Sequence, residues 1–123
     1  MPMAAQAKIL IVDDERDLVD AYVRLLERSG YRCTGAFDAN QAIQMIDAES
    51  PDLVITDLSL PDNSGVEIVR RVRAKLPVTP IIVMSGHNTP GLHEAALAAG
   101  AHLSLLKPVS IAELRRVIGE ALA

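Results

Sequence analysis

The chain predicts an α/β domain built on a five-stranded parallel sheet with helices on both of its sides. Five short apolar runs, Lys8–Val12, Tyr31–Ala36, Leu53–Ile55, Ile81–Met84 and Leu103–Leu106, alternate with five stretches of helical pattern. Runs this short and apolar suit strands buried on both faces rather than helices. At 123 residues the chain is long enough for one domain that buries about two-thirds of its unfolded surface. The expected division is a disordered tail over residues 1–7 and a single domain over residues 8–122.

The first strand runs directly into Asp13, Asp14 and Glu15, where a helix begins with Leu18, Tyr22 and Leu25 on one face and Val19, Val23 and Leu26 beside it. Acids in the first turn suit the positive end of the helix dipole, and Gly30 supplies the stop. After the second strand, Asp38 and Gln41 form a capping box for a helix whose core face is Ile43 and Ile46. The third strand ends at Asp57 and passes into Pro61, Asp62, Asn63, Ser64 and Gly65, a dense set of turn formers. A third helix over Val66–Lys75 turns Val66, Val69 and Val72 inward and leaves Arg70, Arg71, Arg73 and Lys75 as a solvated basic end. The fourth run stops at Ser85-Gly86, and a short alanine-rich helix, Leu92–Ala99, is closed by Gly100. The fifth run leads to Lys107-Pro108. Ser110 and Glu113 then cap a last helix striped by Ile111, Leu114, Ile118 and Leu122. Alternation with right-handed crossovers gives a flavodoxin-like doubly wound sandwich of strand order 2-1-3-4-5.

Composition excludes several classes of function. The net charge of −4 leaves no electrostatic footprint for nucleic acid. The lone Cys33, in a strand, excludes an intrachain disulfide and reads as a buried, inert thiol. No apolar run is long enough to span a membrane, and MPMAAQA lacks the features of a signal peptide, so a cytoplasmic protein is expected.

The chemistry lies at the strand ends. Asp13 and Asp14 end the first strand, Asp57 the third, Ser85 the fourth and Lys107 the fifth. In a parallel sheet these share the carboxyl edge, where open α/β sheets bind ligands. Three crowded carboxylates call for a hard divalent cation, and oxygen donors alone favour Mg²⁺ over zinc. Lys107 adds a point charge for a phosphoryl oxygen and Ser85 a hydroxyl. The set suits phosphoryl transfer to Asp57, a carboxylate acceptor stabilised by charge rather than by general acid–base groups. His87, His93 and His102 lack metal-ligand spacing and are expected on the surface or in loops.

In this order and spacing, ILIVDDE, ITDLSLPDNSG, IIVMSG, Gly100-Ala101 and LLKP resemble the receiver domain of two-component response regulators, from Lys8 to about Leu122. The resemblance implies that Asp57 takes a phosphoryl group from a phosphohistidine of a histidine kinase or histidine phosphotransfer protein. Asp14 is then a direct Mg²⁺ ligand, Asp13 acts through metal-bound water, and the backbone carbonyl of Ser59 completes the protein's share of the shell. Lys107 binds the phosphoryl group, with a cis bond to Pro108, and Ser85 is the switch hydroxyl. Control of an output domain or effector protein follows, by a monomer or weak homodimer. Receivers commonly carry an aromatic residue three positions before the lysine, and here that position is Ser104; Val109 likewise replaces a common Phe. The aromatic readout is therefore absent, and the lifetime of the phosphoryl group is expected to depend on Ser59 and His87. A haloacid-dehalogenase-like phosphatase places a second Asp two residues after its nucleophile, where this chain has Ser59, so turnover on outside substrates is not expected. A docking module of the same fold that takes no phosphoryl group is the alternative.

Overall fold

The computed structural model describes residues 6–62, 65–86 and 91–123. Residues 1–5, Asn63 and Ser64 of the turn cluster, and His87 lie outside them. The order is β1 (Lys8–Val12), α1 (Arg16–Arg28), β2 (Arg32–Ala36), α2 (Ala39–Ala48), β3 (Leu53–Asp57), α3 (Gly65–Lys75), β4 (Ile81–Ser85), α4 (Leu92–Ala99), β5 (Leu103–Leu106) and α5 (Ile111–Leu122). The strands form one sheet in the predicted order, β2-β1-β3-β4-β5, and every pairing is parallel. The central strands β3 and β4 are buried along their whole length, as continuous apolar runs require.

Side chains alternate across a strand, so each run divides between two cores. Ile9, Ile11, Leu53, Ile55, Ile82 and Met84 pack with Val19, Tyr22 and Leu26 of α1 and Leu114, Val117 and Ile118 of α5. Leu10, Val12, Val54, Ile81 and Val83 pack with buried residues of α2, α3 and α4. The core is aliphatic, as expected from a chain with so few aromatic residues.

Several helix details differ from the sequence pattern. The acids after β1 precede α1: the helix starts at Arg16, its first turn holds only Asp17, and Glu15 sits at the N-cap without a side-chain cap. The buried stripe of α1 is Val19, Tyr22 and Leu26, with Leu18 and Leu25 at its margins. In α2, Ala39 and Ala42 are buried with Ile46, while Ile43 is half-buried, because close helix–sheet approach favours the small residues. Asp38 caps α2 through the Gln41 N–H at 2.7 Å, while the Gln41 side chain accepts from the Phe37 N–H. Ser110 caps α5 through the Glu113 N–H, but the Glu113 carboxylate turns to Arg116 instead of closing the box.

The basic end of α3 is more than a solvated face. Arg73 donates to the carbonyls of Leu76, Pro77 and Gly100, and Lys75 donates to those of Ile46 and Asp47 at the end of α2. Both side chains satisfy carbonyls that helix and loop ends leave without partners. Cys33 is half-buried rather than fully buried, and burial pushes its thiol up to about 12, which leaves it inert at neutral pH.

Candidate functional site at the carboxyl edge of the sheet

Parallel pairing brings the ends of β1, β3, β4 and β5 to one edge. Asp13 follows Ile11 by two positions, Asp57 follows Ile55 and Lys107 follows Leu105, all residues of the core under α1 and α5. By alternation these three side chains lean to the same face, and they meet. Lys107 Nζ lies 2.6 Å from Asp13 Oδ2 and 3.1 Å from Asp57 Oδ2. The Asp13 side chain is 1% exposed and that of Asp57 9%, so the bridging ammonium is itself largely withdrawn from water.

Backbone donors fix the remaining carboxylate oxygens. The Glu15 N–H donates to Asp13 Oδ1 and the Ser59 N–H to Asp57 Oδ1. Burial raises the Asp57 carboxyl above its ordinary range, against the Ser59 N–H and Lys107, which favour the carboxylate. Burial also pulls on Lys107 in the direction of neutrality, but its hydrogen bonds and ion pairs with Asp13 and Asp57 outweigh this and hold it above the usual lysine value. Asp14 stands exposed at the rim, with an oxygen that shares a 4.8 Å cluster with Asp13 and Asp57. Three carboxylates so placed form an oxygen-only donor set suited to a hard divalent cation.

Neighbouring segments hold this edge in place. Tyr22 of α1 donates its hydroxyl to the Val109 carbonyl at 2.9 Å, tying α1 to the segment that follows Lys107. The bond from Lys107 to Pro108 is cis, as the resemblance implies. Gly65, which starts α3, donates its N–H to the Leu58 carbonyl, and a Cβ there would overlap the Asp57 carbonyl oxygen. Glycine is needed at this position for close approach to the strand end that carries Asp57. Asp62, beyond β3, accepts from the Ala39 and Asn40 N–H groups at the start of α2, which hold its carboxyl below the usual range.

Asp13, Asp14, Asp57 and Lys107 thus converge, and Ser59 joins them through its N–H. Ser85 reaches the same edge fully buried, its Oγ 2.7 Å from Nε2 of His93. His93 also hydrogen-bonds Ser104 through Nδ1, so it is not the surface residue that the sequence suggests. The signal available in the sequence was Ser104 itself, a polar residue inside a strand that needs a partner.

The chain matches the family described as the response regulator receiver domain over residues 9–119. A CheY-like receiver domain protein from Methanospirillum hungatei JF-1 is 30% identical with a TM-score of 0.92, the match covering 96% of this chain and 94% of that one. A receiver domain protein from Clostridium thermocellum is 31% identical with a TM-score of 0.87, covering 94% of each chain. NtrX from Brucella abortus is 31% identical with a TM-score of 0.86; the match covers 95% of this chain and 27% of that longer one. Among the described residues no helix is long and apolar enough to cross a membrane. With the family matched along nearly the whole sequence and the fold shared from edge to edge, this chain belongs to the receiver domains of two-component response regulators.

Proposed function

We propose that residues 8–122 act as a phosphoacceptor in a phosphorelay, with Asp57 receiving a phosphoryl group from a phosphohistidine of a histidine kinase or histidine phosphotransfer protein. The observation that carries this reading is the contact of one ammonium, Lys107, with two buried carboxylates, Asp13 and Asp57. An Asp57 carboxylate oxygen attacks phosphorus as the P–N bond of the donor breaks, and the departing imidazole takes its proton from solvent. The Ser59 N–H and Lys107 orient the nucleophile and favour its carboxylate form, against burial, which favours the protonated one. Lys107 is a flexible point charge, so it can leave Asp57 and follow the negative oxygens of the transferred group while it remains anchored to Asp13.

The donor set of Asp13, Asp14 and Asp57 fits Mg²⁺, which takes hard oxygen ligands at about 2.0–2.1 Å and retains waters where the protein offers few donors. Asp14, Asp57 and the Ser59 carbonyl are the proposed direct ligands, with Asp13 acting through metal-bound water. When bound, the cation supplies charge neutralisation for the phosphoryl oxygens. Phosphorylation adds about −1.5 to −2 charges at this edge, and the buried Ser85 hydroxyl is the group proposed to turn to it. A partner or output domain then senses the resulting shift between two packings.

Intact-mass spectrometry after incubation with acetyl phosphate tests the reading. A single phosphoryl adduct that needs Mg²⁺ and is absent from Asp57→Asn is expected. A folded protein that takes no adduct would leave a docking module of receiver fold as the function.

A further inference from the structure

His93 joins two hydroxyls that belong to different strands. Its Nε2 lies 2.7 Å from Ser85 Oγ, and its Nδ1 hydrogen-bonds Ser104 Oγ. Sheet register sets this up: Ser85 pairs with Leu106 and Ser104 with Val83, so alternation places both serines on the face that α4 covers. Ala96, buried one turn after His93, fixes which side of α4 faces the sheet.

A neutral imidazole carries one N–H and one acceptor nitrogen, so a hydroxyl–imidazole–hydroxyl chain has a direction. Ser85 Oγ has the Gly86 carbonyl at 3.3 Å and His93 Nε2 at 2.7 Å. The nearer acceptor is the better one. With the Ser85 proton donated to Nε2, the ring proton sits on Nδ1 and His93 donates to Ser104; the opposite direction exchanges every donor and acceptor of the chain.

We propose that Ser85–His93–Ser104 is a polar readout of the phosphoryl switch whose direction reverses when Asp57 is phosphorylated; this rests on the phosphoacceptor reading above. A Ser85 hydroxyl that gives its single proton to a phosphoryl oxygen can only accept from His93. The ring then carries its proton on Nε2, Nδ1 becomes the acceptor, and Ser104 turns its own proton to Nδ1. Each hydroxyl keeps one proton and so does the ring; the ring proton passes from Nδ1 to Nε2 by exchange with solvent, without a change in net charge. His93 is thus a positioning residue that holds the Ser85 oxygen in place and carries the event to β5. Ser104, at the position where receivers commonly have an aromatic residue, is its far end.

The test is ¹⁵N NMR of the histidine rings in the full chain before and after addition of Mg²⁺ and beryllofluoride, a stand-in for the phosphoryl group. Intact mass after acetyl phosphate is measured on the same preparation. His93→Gln identifies the ring signals by their loss. The expected result is an exchange of the pyrrole-like and pyridine-like signals between the two nitrogens of His93, with a shift of the Ser104 amide. That amide shift is retained in part by His93→Gln, which can both donate and accept, and lost in His93→Leu. The ring measurement itself is made on the wild-type protein, and His93→Gln serves there only to assign its signals. A ring that already carries its proton on Nε2 at the start, or one unchanged in a protein that does form the mass adduct, overturns the relay and leaves the phosphoacceptor reading standing. Absence of the adduct itself removes that reading, and the relay with it.

Discussion

The strand ends above α1 and α5 differ from those above α4. On the first side, Asp13, Asp57 and Lys107 bring two carboxyl groups and an amine together in a largely buried cluster. On the second side, Ser85, His93 and Ser104 form a chain of hydrogen bonds between side chains without carboxylates. Both sets derive from one rule of alternation along the same parallel strands. The charged side holds groups whose interactions are strong and expensive to disturb, as a site for a dianionic group requires. The hydroxyl–imidazole side holds groups that can reorient at small cost, as the proposed readout requires. The proposed nucleophile and the proposed switch can therefore be one residue position apart across neighbouring strands, with Asp57 opposite Met84 and Ser85 next in line, while answering to different helices.

Removing Lys107 should disturb this division most. Lys107→Met leaves the buried Asp13 and Asp57 carboxylates without their cation and is expected to destabilise metal-free protein by roughly 3–5 kcal/mol in urea unfolding. Mg²⁺ should restore more stability in this variant than in the wild type, because no ammonium competes with it and a ligand of the folded state stabilises by mass action. Equal recovery in both proteins would show that Lys107 and the cation do not share the carboxylates. Gly65→Ala is expected to follow, at about 1–3 kcal/mol, because the added Cβ meets strand backbone rather than a movable side chain. Its thermal melt should be lowered and the Asp57 and Leu58 amides shifted in NMR; an unshifted strand end would mean that α3 gives way instead.

Asp57→Asn acts in the opposite direction. The folded-state carboxyl is raised by burial, so the folded protein holds this proton to higher pH than the unfolded chain does. Below the unfolded value both states are protonated and wild type and variant should be equally stable. As pH rises through the folded value the wild type loses ground, so in metal-free buffer the variant should melt higher at neutral pH and the gap should close in acid. The smallest effect is expected at Asp62, whose lowered carboxyl gives the reverse sign. Its stabilisation is present above the ordinary carboxylate value and lost as pH falls through its lower folded value. The melting-temperature difference between wild type and Asp62→Ala should therefore shrink in strong acid.

Much of the fold was legible because the apolar runs are short, continuous and separated by glycine, proline and capping residues. Their ends carry Asp13, Asp14, Asp57, Ser85 and Lys107, so the residues gathered at the carboxyl edge of the sheet are legible with them. Details decided by packing were less legible. Ala39 and Ala42 outrank Ile43 in the core of α2, since what matters there is how closely the helix approaches the sheet. Arg73 looked solvated because its acceptors lie on other elements, among them the Gly100 carbonyl that closes α4. His93 was hidden for the same reason. A lone histidine in a short alanine-rich helix has no pattern of its own, and only the register of β4 against β5 reveals its two serine partners.

Asp57, held by Lys107 and Ser59, is the proposed landing site of the phosphoryl group. Borohydride reduction of acetyl-phosphate-treated protein, followed by peptide mass mapping, tests it at residue level, because reduction of an acyl phosphate turns the aspartate into homoserine. Homoserine at position 57 alone, dependent on Mg²⁺, is the predicted result. Label at Asp13 or Asp14, or an adduct with Asp57 unreduced, would contradict it.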